Sequence, residues 1–393
     1  MTDAPLLPRW GHSTLADLLP SISAHLGLAE AGVPSIDLPA SSRYVLVLVD
    51  GLGYDVLQQG LAVAPYCAGL FGDAQQLTAT VPSTTATSLT SLGTGVGPAA
   101  HGMVGYSFRD PRTGVVFNSL AWDTPTAPED LQTQTTWFER LALAGHASHA
   151  VVPARFDGSG LTRAALRGQV VSGLVREDDE DDLVARAVAA SRAGDRSLVY
   201  VYERMLDHTA HAHGVGHPAW RNQLARIDAM LERLRAALDD DVVMLVTGDH
   251  GMVDVPADRR IIFEDTPALR EGVDQFGGEG RFRQLYTTDP LGVAQRWASE
   301  LGDRAWVRTR DEAIAEGWFG AVPSADVAGR IGDVVAAMRD DWAVMSLSLP
   351  GELALVGMHG SLTRAEMVVP LLVDDPAHDW GDAQDWNDGA EDW

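Results

Sequence analysis

The chain has 393 residues, of which 46% are hydrophobic, so it can bury a large core in one α/β domain with an insertion, or in two domains. Its formal net charge is -26, and all 29 basic residues are arginines. Such an acidic surface argues against nucleic acids and anionic membranes as partners. It leaves open a small anionic substrate, because a bound metal ion can reverse the local field.

The N-terminal segment has neither a basic region nor a long apolar region, and no window of the sequence is long enough to span a membrane. We therefore expect a cytoplasmic protein that does not associate with a membrane. The single cysteine, Cys67, lies in apolar surroundings and is interpreted as a small buried side chain. The sequence leaves the oligomeric state open.

Five short apolar runs predict strands that are buried on both faces, as in a parallel sheet. They are residues 44–49, 149–153, 197–202, 242–247 and 353–357. Helical patterns lie between several of these runs, at 135–145, 183–194 and 220–238. This alternation predicts a layered α/β fold with a mostly parallel sheet.

The stretch from 256 to 345 interrupts the alternation and is interpreted as a small inserted α+β cap. The core would then consist of a first part, 1–255, and a last part, 346–375. The remaining residues, 376–393, are acidic and poor in aliphatic side chains, which predicts a flexible tail. An acidic run at 176–182 precedes a helical pattern, where it complements the helix dipole and faces solvent.

Aspartate or histidine follows four of the predicted strands. The residues are Asp50, Asp207 with His211, Asp249 with His250, and His359. Because ligands bind beyond the carboxyl ends of the strands in an open parallel sheet, these side chains can converge at one edge. Each motif alone is better explained by a common turn, a surface histidine or a chance cluster. Together they favour a divalent-metal site with oxygen and nitrogen ligands, for which zinc is the first choice and manganese the alternative.

The segment VPSTTATSLTSLGTG, residues 81–95, is rich in serine and threonine. These residues are poor helix formers in a helix interior and are favoured at helix starts, because their side chains compete for backbone hydrogen bonds. The composition is compatible both with a polar linker and with the first turns of a helix.

Five segments resemble the nucleotide pyrophosphatase/phosphodiesterase branch of the alkaline phosphatase superfamily in their order and approximate spacing. They are LVDGLGYD, PSTTATSLTSLGTGVGPAAHG, MLDHTAHAHG, TGDHGM and GMHGS, within residues 44–361. The resemblance implies an alkaline-phosphatase-like α/β/α core. It also implies a two-metal hydrolase that cleaves phosphodiester or pyrophosphate bonds of small nucleotide-type substrates through a covalent threonine intermediate.

The same resemblance implies the site residues. The family's nucleophile motif, laid on Pro82–Gly102, places the nucleophile at Thr85, with Thr84 as the neighbouring alternative and Thr80 as a third. One divalent ion would be held by Asp207, His211 and His359, and the other by Asp50, Asp249, His250 and Thr85. An asparagine that binds the phosphoryl oxygen in many family members is replaced here by Tyr106 or a near neighbour.

Two other functions are compatible with the same residues. A phosphate monoesterase or a phosphonate hydrolase would use the same metal site and differ in the cap and in the residue that replaces the asparagine. A metal-binding scaffold without activity is the third hypothesis. The complete ligand set and the hydroxyl at the nucleophile position argue against it.

Overall fold

The protein is built around one large sheet, and the computed structural model describes residues 4–376. Residues 377–393, nearly all of the predicted tail, lie outside the described residues. The strands are β1 (Arg43–Val49), β2 (Gln75–Thr78), β3 (Ser107–Arg109), β4 (Val116–Asn118), β5 (Ala147–Pro153), β6 (Val170–Leu174), β7 (Ser197–Glu203), β8 (Val242–Thr247), β9 (Val253–Asp254), β10 (Arg260–Ile262), β11 (Gln275–Glu279), β12 (Phe282–Tyr286), β13 (Ala305–Thr309), β14 (Val334–Met338), β15 (Ala343–Met345), β16 (Gly357–Met358) and β17 (Val368–Asp374).

Helices cover both faces of this sheet. They are α1 (Leu15–His25), α2 (Tyr54–Gly60), α3 (Pro65–Phe71), α4 (Thr85–Thr94), α5 (Pro98–His101), α6 (Pro128–Leu131), α7 (Trp137–Leu143), α8 (Gly160–Ala165), α9 (Glu180–Ser191), α10 (Met205–His213), α11 (Pro218–Ala237), α12 (Pro267–Arg270), α13 (Pro290–Leu301), α14 (Arg310–Ala315), α15 (Ala325–Ala328), α16 (Pro350–Leu353) and α17 (Arg364–Met367). Short 3-10 turns lie at Ala29–Ala31, Leu61–Val63, Ala154–Phe156, Ala257–Arg259 and Gly302–Arg304.

The main sheet has seven strands in the order β2-β17-β8-β1-β7-β5-β6. Strands β8, β1, β7, β5 and β6 run parallel to one another, whereas β17 runs antiparallel to both β8 and β2. The prediction of a mostly parallel α/β sheet is confirmed. Because the parallel strands share a direction, the loops that follow β8, β1, β7 and β5 all lie at one edge of the sheet.

Alternate side chains along a strand pack into different hydrophobic clusters on the two faces of the sheet. Along β1, Leu46 and Leu48 pack into the cluster that includes side chains of α1, α4 and α7. Val45 and Val47 pack instead into the cluster formed with α9, α10 and α11. This alternation on a strand that is apolar throughout is the reason that the sheet carries helices on both sides.

A second sheet lies within the stretch that was interpreted as a cap. It has the order β11-β12-β14-β13 and is antiparallel throughout. Leu285 and Val334 pack with Trp297 of α13, whereas Val335 belongs to the same buried cluster as Leu89 of α4. The second sheet therefore shares a hydrophobic core with the main sheet on one of its faces. The boundaries at 256 and 345 stay a prediction.

The predicted strand at 353–357 is wrong. Helix α16 ends at Leu353, and only the two-residue strand β16 follows, which pairs with β9 outside the main sheet. Leu353 and Leu355 pack against a small cluster that contains Met345 and Met358. A short apolar run is compatible with several buried conformations, and this one has no neighbouring strand in the main sheet. That place is taken by β17, which the sequence analysis did not identify.

The other predicted elements are present. The strands at 44–49, 149–153, 197–202 and 242–247 fall within β1, β5, β7 and β8, and the three helical patterns fall on α7, α9 and α11. The acidic run at 176–182 leads into α9, where the Asp179 side chain accepts a hydrogen bond from the backbone N–H of Asp182 at 3.1 Å. Among residues 4–376, no helix is both long and apolar enough to cross a membrane.

Candidate metal centre

The loops after β1 and β8 bring three predicted ligands together. Asp50 follows β1, Asp249 and His250 follow β8, and their ligand atoms lie within 4.8 Å of one another. His250 Nε2 lies 3.4 Å from Asp50 Oδ1 and 3.5 Å from Asp249 Oδ2. The other oxygen of Asp249 accepts hydrogen bonds from the backbone N–H groups of Gly51 and His250, at 3.1 and 3.0 Å. These contacts fix the carboxylate and leave Oδ2 directed at the cluster.

Helix α10 supplies two further ligands from one of its faces. Asp207 and His211 are four residues apart, so their side chains lie next to each other, with His211 Nε2 3.3 Å from Asp207 Oδ2. The helix can approach the loop after β1 because position 51 is glycine. Gly51 has a φ of +74°, and a Cβ there would lie 3.2 Å from the Cα of Asp207.

His359 reaches the site from the loop after β16. Its Nε2 lies 3.9 Å from Asp207 Oδ1, and its ring stacks on that of His250 with centroids 3.6 Å apart. The loop is tied to the segment before α4, because Ser83 N donates to Gly360 O at 3.1 Å and Ser83 Oγ donates to Ser361 O at 2.7 Å. Asp207, His211 and His359 thus form a second cluster within 4.8 Å, next to the first.

The three histidines are oriented in the same way. The Nδ1 atom of each ring lies at hydrogen-bond distance from a backbone carbonyl oxygen: Gly357 O at 2.8 Å for His211, Gly251 O at 2.9 Å for His250 and Ser83 O at 2.9 Å for His359. Donation from Nδ1 fixes the tautomer that has a lone pair on Nε2. All three lone pairs are then available to a metal ion.

Thr85 is the first residue of helix α4, so the serine- and threonine-rich segment forms a helix start and not a linker. Its Oγ1 lies 3.3 Å from His250 Nε2. Thr84 occupies the N-cap position in an extended conformation, with φ -131° and ψ 149°. Thr80, the third candidate, is fully buried. The hydroxyl that faces the histidine cluster therefore belongs to Thr85.

Burial and mutual repulsion shift the titration of the site. Burial raises the pKa of Asp50 well above its usual range, and the charges of Asp249 and Asp207 raise it further. Burial also raises the pKa of Asp249. The pKa of His359 is held well below its usual range by burial and then by His250 and His211. Three neighbouring carboxylates without a cation are therefore costly, and positive charge would relieve the cost.

The unpaired atoms fit divalent metal ions. In the two clusters, three buried carboxylate oxygens have no hydrogen-bond partner among the described residues: Asp50 Oδ1, Asp207 Oδ1 and Asp249 Oδ2. Buried polar atoms are normally paired, so unpaired oxygens that face imidazole nitrogens need an explanation. Three carboxylates and three imidazoles form the donor set that zinc and similar divalent ions accept.

A cavity of about 970 Å³ opens onto both clusters. Its wall includes Thr85 together with Thr84 and Tyr106, the two weaker substrate-contact predictions. Burial raises the pKa of the Tyr106 phenol, so this group is a neutral hydrogen-bonding side chain at neutral pH. Five of the seven predicted ligand and nucleophile residues line this cavity, which is large enough for a nucleotide-sized molecule, and the other two, Asp249 and His250, lie in the cluster with Asp50.

Several groups that support the site were not found from the sequence. Tyr202 donates its hydroxyl proton to Asp50 Oδ2, and Ser83 supplies the carbonyl that orients His359. Glu279 of β11 lines the cavity, and its Oε1 has no hydrogen-bond partner among the described residues. Tyr202 carried a weak signal, since it sits near the end of a predicted strand one strand away from Asp50. Glu279 lies in a stretch without any recognisable motif.

The family can now be stated from comparison with known proteins. A family model described as type I phosphodiesterase / nucleotide pyrophosphatase matches residues 44–362. The chain belongs to this family. The matched range includes every residue of both ligand clusters as well as Thr85.

Relatives among curated proteins match a short segment of this family member. The catalytic subunit of human GPI ethanolamine phosphate transferase 3 is 32% identical over 60 residues, which is 15% of this chain and 6% of that protein. The mouse protein of the same name is 38% identical over 47 residues, 12% of this chain and 4% of that protein. The chain thus matches only a small fraction of the length of these relatives.

Solved structures are similar over most of the chain. An inactive variant of murine ectonucleotide pyrophosphatase/phosphodiesterase 5 in complex with AMP has a TM-score of 0.68 and 21% identity, covering 85% of this chain and 88% of that chain. Phosphonoacetate hydrolase from Sinorhizobium meliloti, in complex with phosphonoformate, has a TM-score of 0.66 and 20% identity, covering 86% and 91%. These similarities establish the fold that the resemblance implied.

Proposed function

We propose that the protein is a two-metal-dependent hydrolase that cleaves phosphodiester or pyrophosphate bonds of nucleotide-type substrates through a covalent intermediate on Thr85. The observation that carries the proposal is the pair of three-residue ligand clusters, one of which contacts the hydroxyl of Thr85 through His250, in a nucleotide-sized cavity that Thr85 lines. The family membership and the AMP bound to a structural neighbour support this substrate class.

The ligand clusters would hold two divalent ions, one with Asp207, His211 and His359, and one with the remaining ligands and Thr85. Zinc is the first choice, and manganese is the alternative. Bound there, the ions would supply Lewis-acid polarisation of the phosphoryl oxygens and a lowered pKa for a coordinated hydroxyl.

The residues of the chain then have defined tasks. Thr85 Oγ1 loses its proton to solvent and attacks phosphorus, so a new O–P bond forms while the bond to the leaving oxygen breaks, and that oxygen departs with the electron pair and takes up a proton from solvent. The N-terminus of α4 presents unpaired backbone N–H groups and a positive dipole end to the phosphoryl oxygens. Water entering through the cavity then hydrolyses the threonyl ester and restores the hydroxyl.

A second candidate is hydrolysis of a phosphonate or a phosphate monoester at the same site. Similarity to phosphonoacetate hydrolase favours it, as does Tyr106 in the cavity wall where many family members are expected to carry an asparagine. A panel of bis-p-nitrophenyl phosphate, p-nitrophenyl thymidine monophosphate, p-nitrophenyl phosphate and phosphonoacetate separates these activities.

A cytoplasmic location stays a prediction of the sequence.

The test compares Thr85→Ala with Thr84→Ala after metal analysis of each purified protein. We expect Thr85→Ala to retain both metal ions and lose turnover by at least about 10³-fold, whereas Thr84→Ala keeps most of its activity. In the wild-type protein, chelation should abolish turnover, and Zn²⁺ or Mn²⁺ should restore it. Full turnover by metal-loaded Thr85→Ala would show that the assignment of the nucleophile is wrong. Two bound metal ions without turnover on any substrate of the panel would favour the inactive scaffold.

A further inference from the structure

Two arginines line the cavity beyond the metal ligands. Arg155 lies in the 3-10 turn after β5, and Arg204 directly follows β7. Their side chains are 50% and 24% exposed, so the guanidinium groups are accessible to a ligand in the cavity. Arg281, which directly precedes β12, is by contrast fully buried in an ion pair with Glu366. Arg155 and Arg204 are thus in a position to meet a substrate, and Arg281 is not.

The strand order places the two arginines in line with the metal centre. Across the sheet, β8 and β1 carry ligands, β7 leads to Arg204, and β5 leads to Arg155. Neighbouring strands are about 4.8 Å apart, so β5 lies roughly 10 Å from β1 along this edge. A substrate whose phosphorus is held at Thr85 can therefore extend along the edge toward both guanidinium groups.

The two arginines share one acidic partner. Arg204 Nε lies 2.6 Å from Glu177 Oε2, and Arg155 forms a close ion pair with Glu177 Oε1 and a hydrogen bond of 3.4 Å to Oε2. The nearby acids are engaged elsewhere, Glu180 by Arg226 and Arg233, and Glu203 by backbone N–H groups at the start of α10. Glu177 thus offers one carboxylate to two guanidinium groups, in a chain of net charge -26.

The aromatic ring of Phe156 also holds the Arg155 side chain in place. Its guanidinium carbon lies 4.7 Å from the ring centroid of Phe156, and Phe156 packs against Tyr202 with centroids 6.0 Å apart. Tyr202 in turn donates a hydrogen bond to Asp50. A guanidinium group carries five N–H donors, more than one shared carboxylate can accept. The arrangement offers oriented donors to a second oxyanion.

We propose that Arg155 and Arg204 form a subsite for a second anionic group of the substrate, a phosphate or a carboxylate, beyond the phosphorus that reacts with Thr85. The proposal rests on the proposed hydrolysis at Thr85 and narrows its substrate class. The preferred substrates carry a further negative group on the part that extends toward β5.

Matched substrates test the subsite. Thymidine 5′-(p-nitrophenyl phosphate) with and without a 3′-phosphate supplies the phosphate pair, and p-nitrophenyl esters of phosphonoacetate and methylphosphonate supply the carboxylate pair. In Arg155→Gln, Arg204→Gln and the double variant, kcat/KM for the doubly charged member of a pair should fall about 10- to 100-fold more than kcat/KM for the singly charged member. Most of this loss should be a rise in KM. High salt should reduce the preference of the wild-type protein. The pair that responds identifies phosphate or carboxylate as the group bound.

The substitution Glu177→Gln distinguishes a substrate-binding role of Arg155 and Arg204 from a purely structural role of their ion pairs with Glu177. Removing the competing carboxylate should lower KM for the doubly charged substrate, whereas a purely structural role would lower thermal stability and affect both substrates equally. Arg192→Gln removes a comparable exposed arginine, paired with Asp239 outside the cavity, and should change nothing. Equal losses on both members of each pair, or a raised KM in Glu177→Gln, would overturn the proposal.

A binding measurement keeps this test independent of turnover. Thymidine 3′,5′-bisphosphate and thymidine 5′-monophosphate are titrated into metal-loaded Thr85→Ala protein with and without the arginine substitutions. A bisphosphate preference that disappears in the arginine variants supports the subsite even if no substrate is hydrolysed, in which case only the proposed function fails. Phosphonoacetate and methylphosphonate supply the carboxylate pair in the same titration, and no preference for the doubly charged member of either pair in the parent protein overturns the subsite.

Discussion

Breaking the buried ion pair between Arg281 and Glu366 should destabilise the protein more than breaking any exposed pair. Both side chains are fully buried, and the contact is bidentate, with Nε to Oε1 at 3.0 Å and Nη2 to Oε2 at 2.7 Å. Glu366 Oε1 also accepts from Ser361 N at 3.0 Å, and Oε2 accepts from Thr363 Oγ1 at 2.5 Å. The substitution Glu366→Gln keeps the shape of the side chain and leaves the arginine charge buried and unpaired.

The expected loss follows from that unpaired charge. Removing one partner of a buried pair costs about 3–5 kcal/mol, whereas an exposed pair contributes about 1 kcal/mol or less. Arg192 and Asp239 supply the matched control, because their pair is also bidentate but about half exposed. The free energy of unfolding is measured by urea titration of the chelated proteins, followed through tryptophan fluorescence. Chelation removes any contribution of bound metal to the difference.

The prediction extends to the metal centre, because Glu366 joins two ligand loops. Its carbonyl oxygen accepts from Gly251 N, next to His250, and its carboxylate holds Ser361, two residues after His359. Glu366→Gln should therefore weaken metal binding as well. The double variant Arg281→Met/Glu366→Gln should recover more than half of the lost stability, since no unpaired charge remains. A loss in Glu366→Gln no larger than that in Asp239→Asn would refute the reasoning, and so would a double variant less stable than the single one.

Two further predictions concern stability. Burial raises the pKa of Glu203 to about 7 from an ordinary 4.5, so its ionisation destabilises the folded state as the pH rises from about 4.5 to 7. Glu203→Gln should thus be more stable than wild type by on the order of 1–3 kcal/mol above pH 7, with no difference below pH 4.5. Urea titrations across this pH range check the prediction. A stability difference that does not change with pH would contradict the raised pKa of Glu203. At Gly93 of α4 an added Cβ would lie 1.8 Å from the carbonyl oxygen of Ala165, so Gly93→Ala should cost at least about 2 kcal/mol. At Gly69 of α3 an added Cβ would meet no atom within 4 Å, and Gly69→Ala should instead stabilise the protein by about 0.5–1 kcal/mol. Equal effects of the two substitutions on the melting temperature would show that Gly93 does not approach Ala165 closely.

The core of the fold could be predicted because its signals are local. Strands β1, β7 and β8 are continuous apolar runs, and each is buried on both faces by the helices that pack against the sheet. Strand β17 was missed because Pro370 lies inside it, and proline argues against a central strand. In the structure, β17 pairs with β8 only from Leu371 onward, so the missing N–H of Pro370 does not interrupt that ladder.

The proximity of the proposed ligands was predictable for a related reason. Asp50, Asp249 and His250 follow recognisable strands, and Asp207 and His211 are spaced by one helical turn. The sequence analysis placed His359 at the site as the residue after a predicted strand at 353–357. The structure brings His359 to the site, but from the loop after β16, which lies outside the main sheet. Its position depends on Ser83, which lies 276 residues away in sequence and accepts a hydrogen bond from its ring. No pattern near residue 359 contains that information.

Residues that would select a substrate are harder to read from sequence than residues that hold a metal. A metal ion needs several ligands of few chemical types, and two or three of them fall within a single short motif. Arg155, Arg204 and Glu177 are ordinary surface residues when each is seen alone, and they follow three different strands. Only the order β7-β5-β6 makes them neighbours, and that order joins segments that are distant in sequence. Substrate preference in this fold can therefore change through residues after β5 and β6 while the metal ligands after β8, β1 and β7 stay the same.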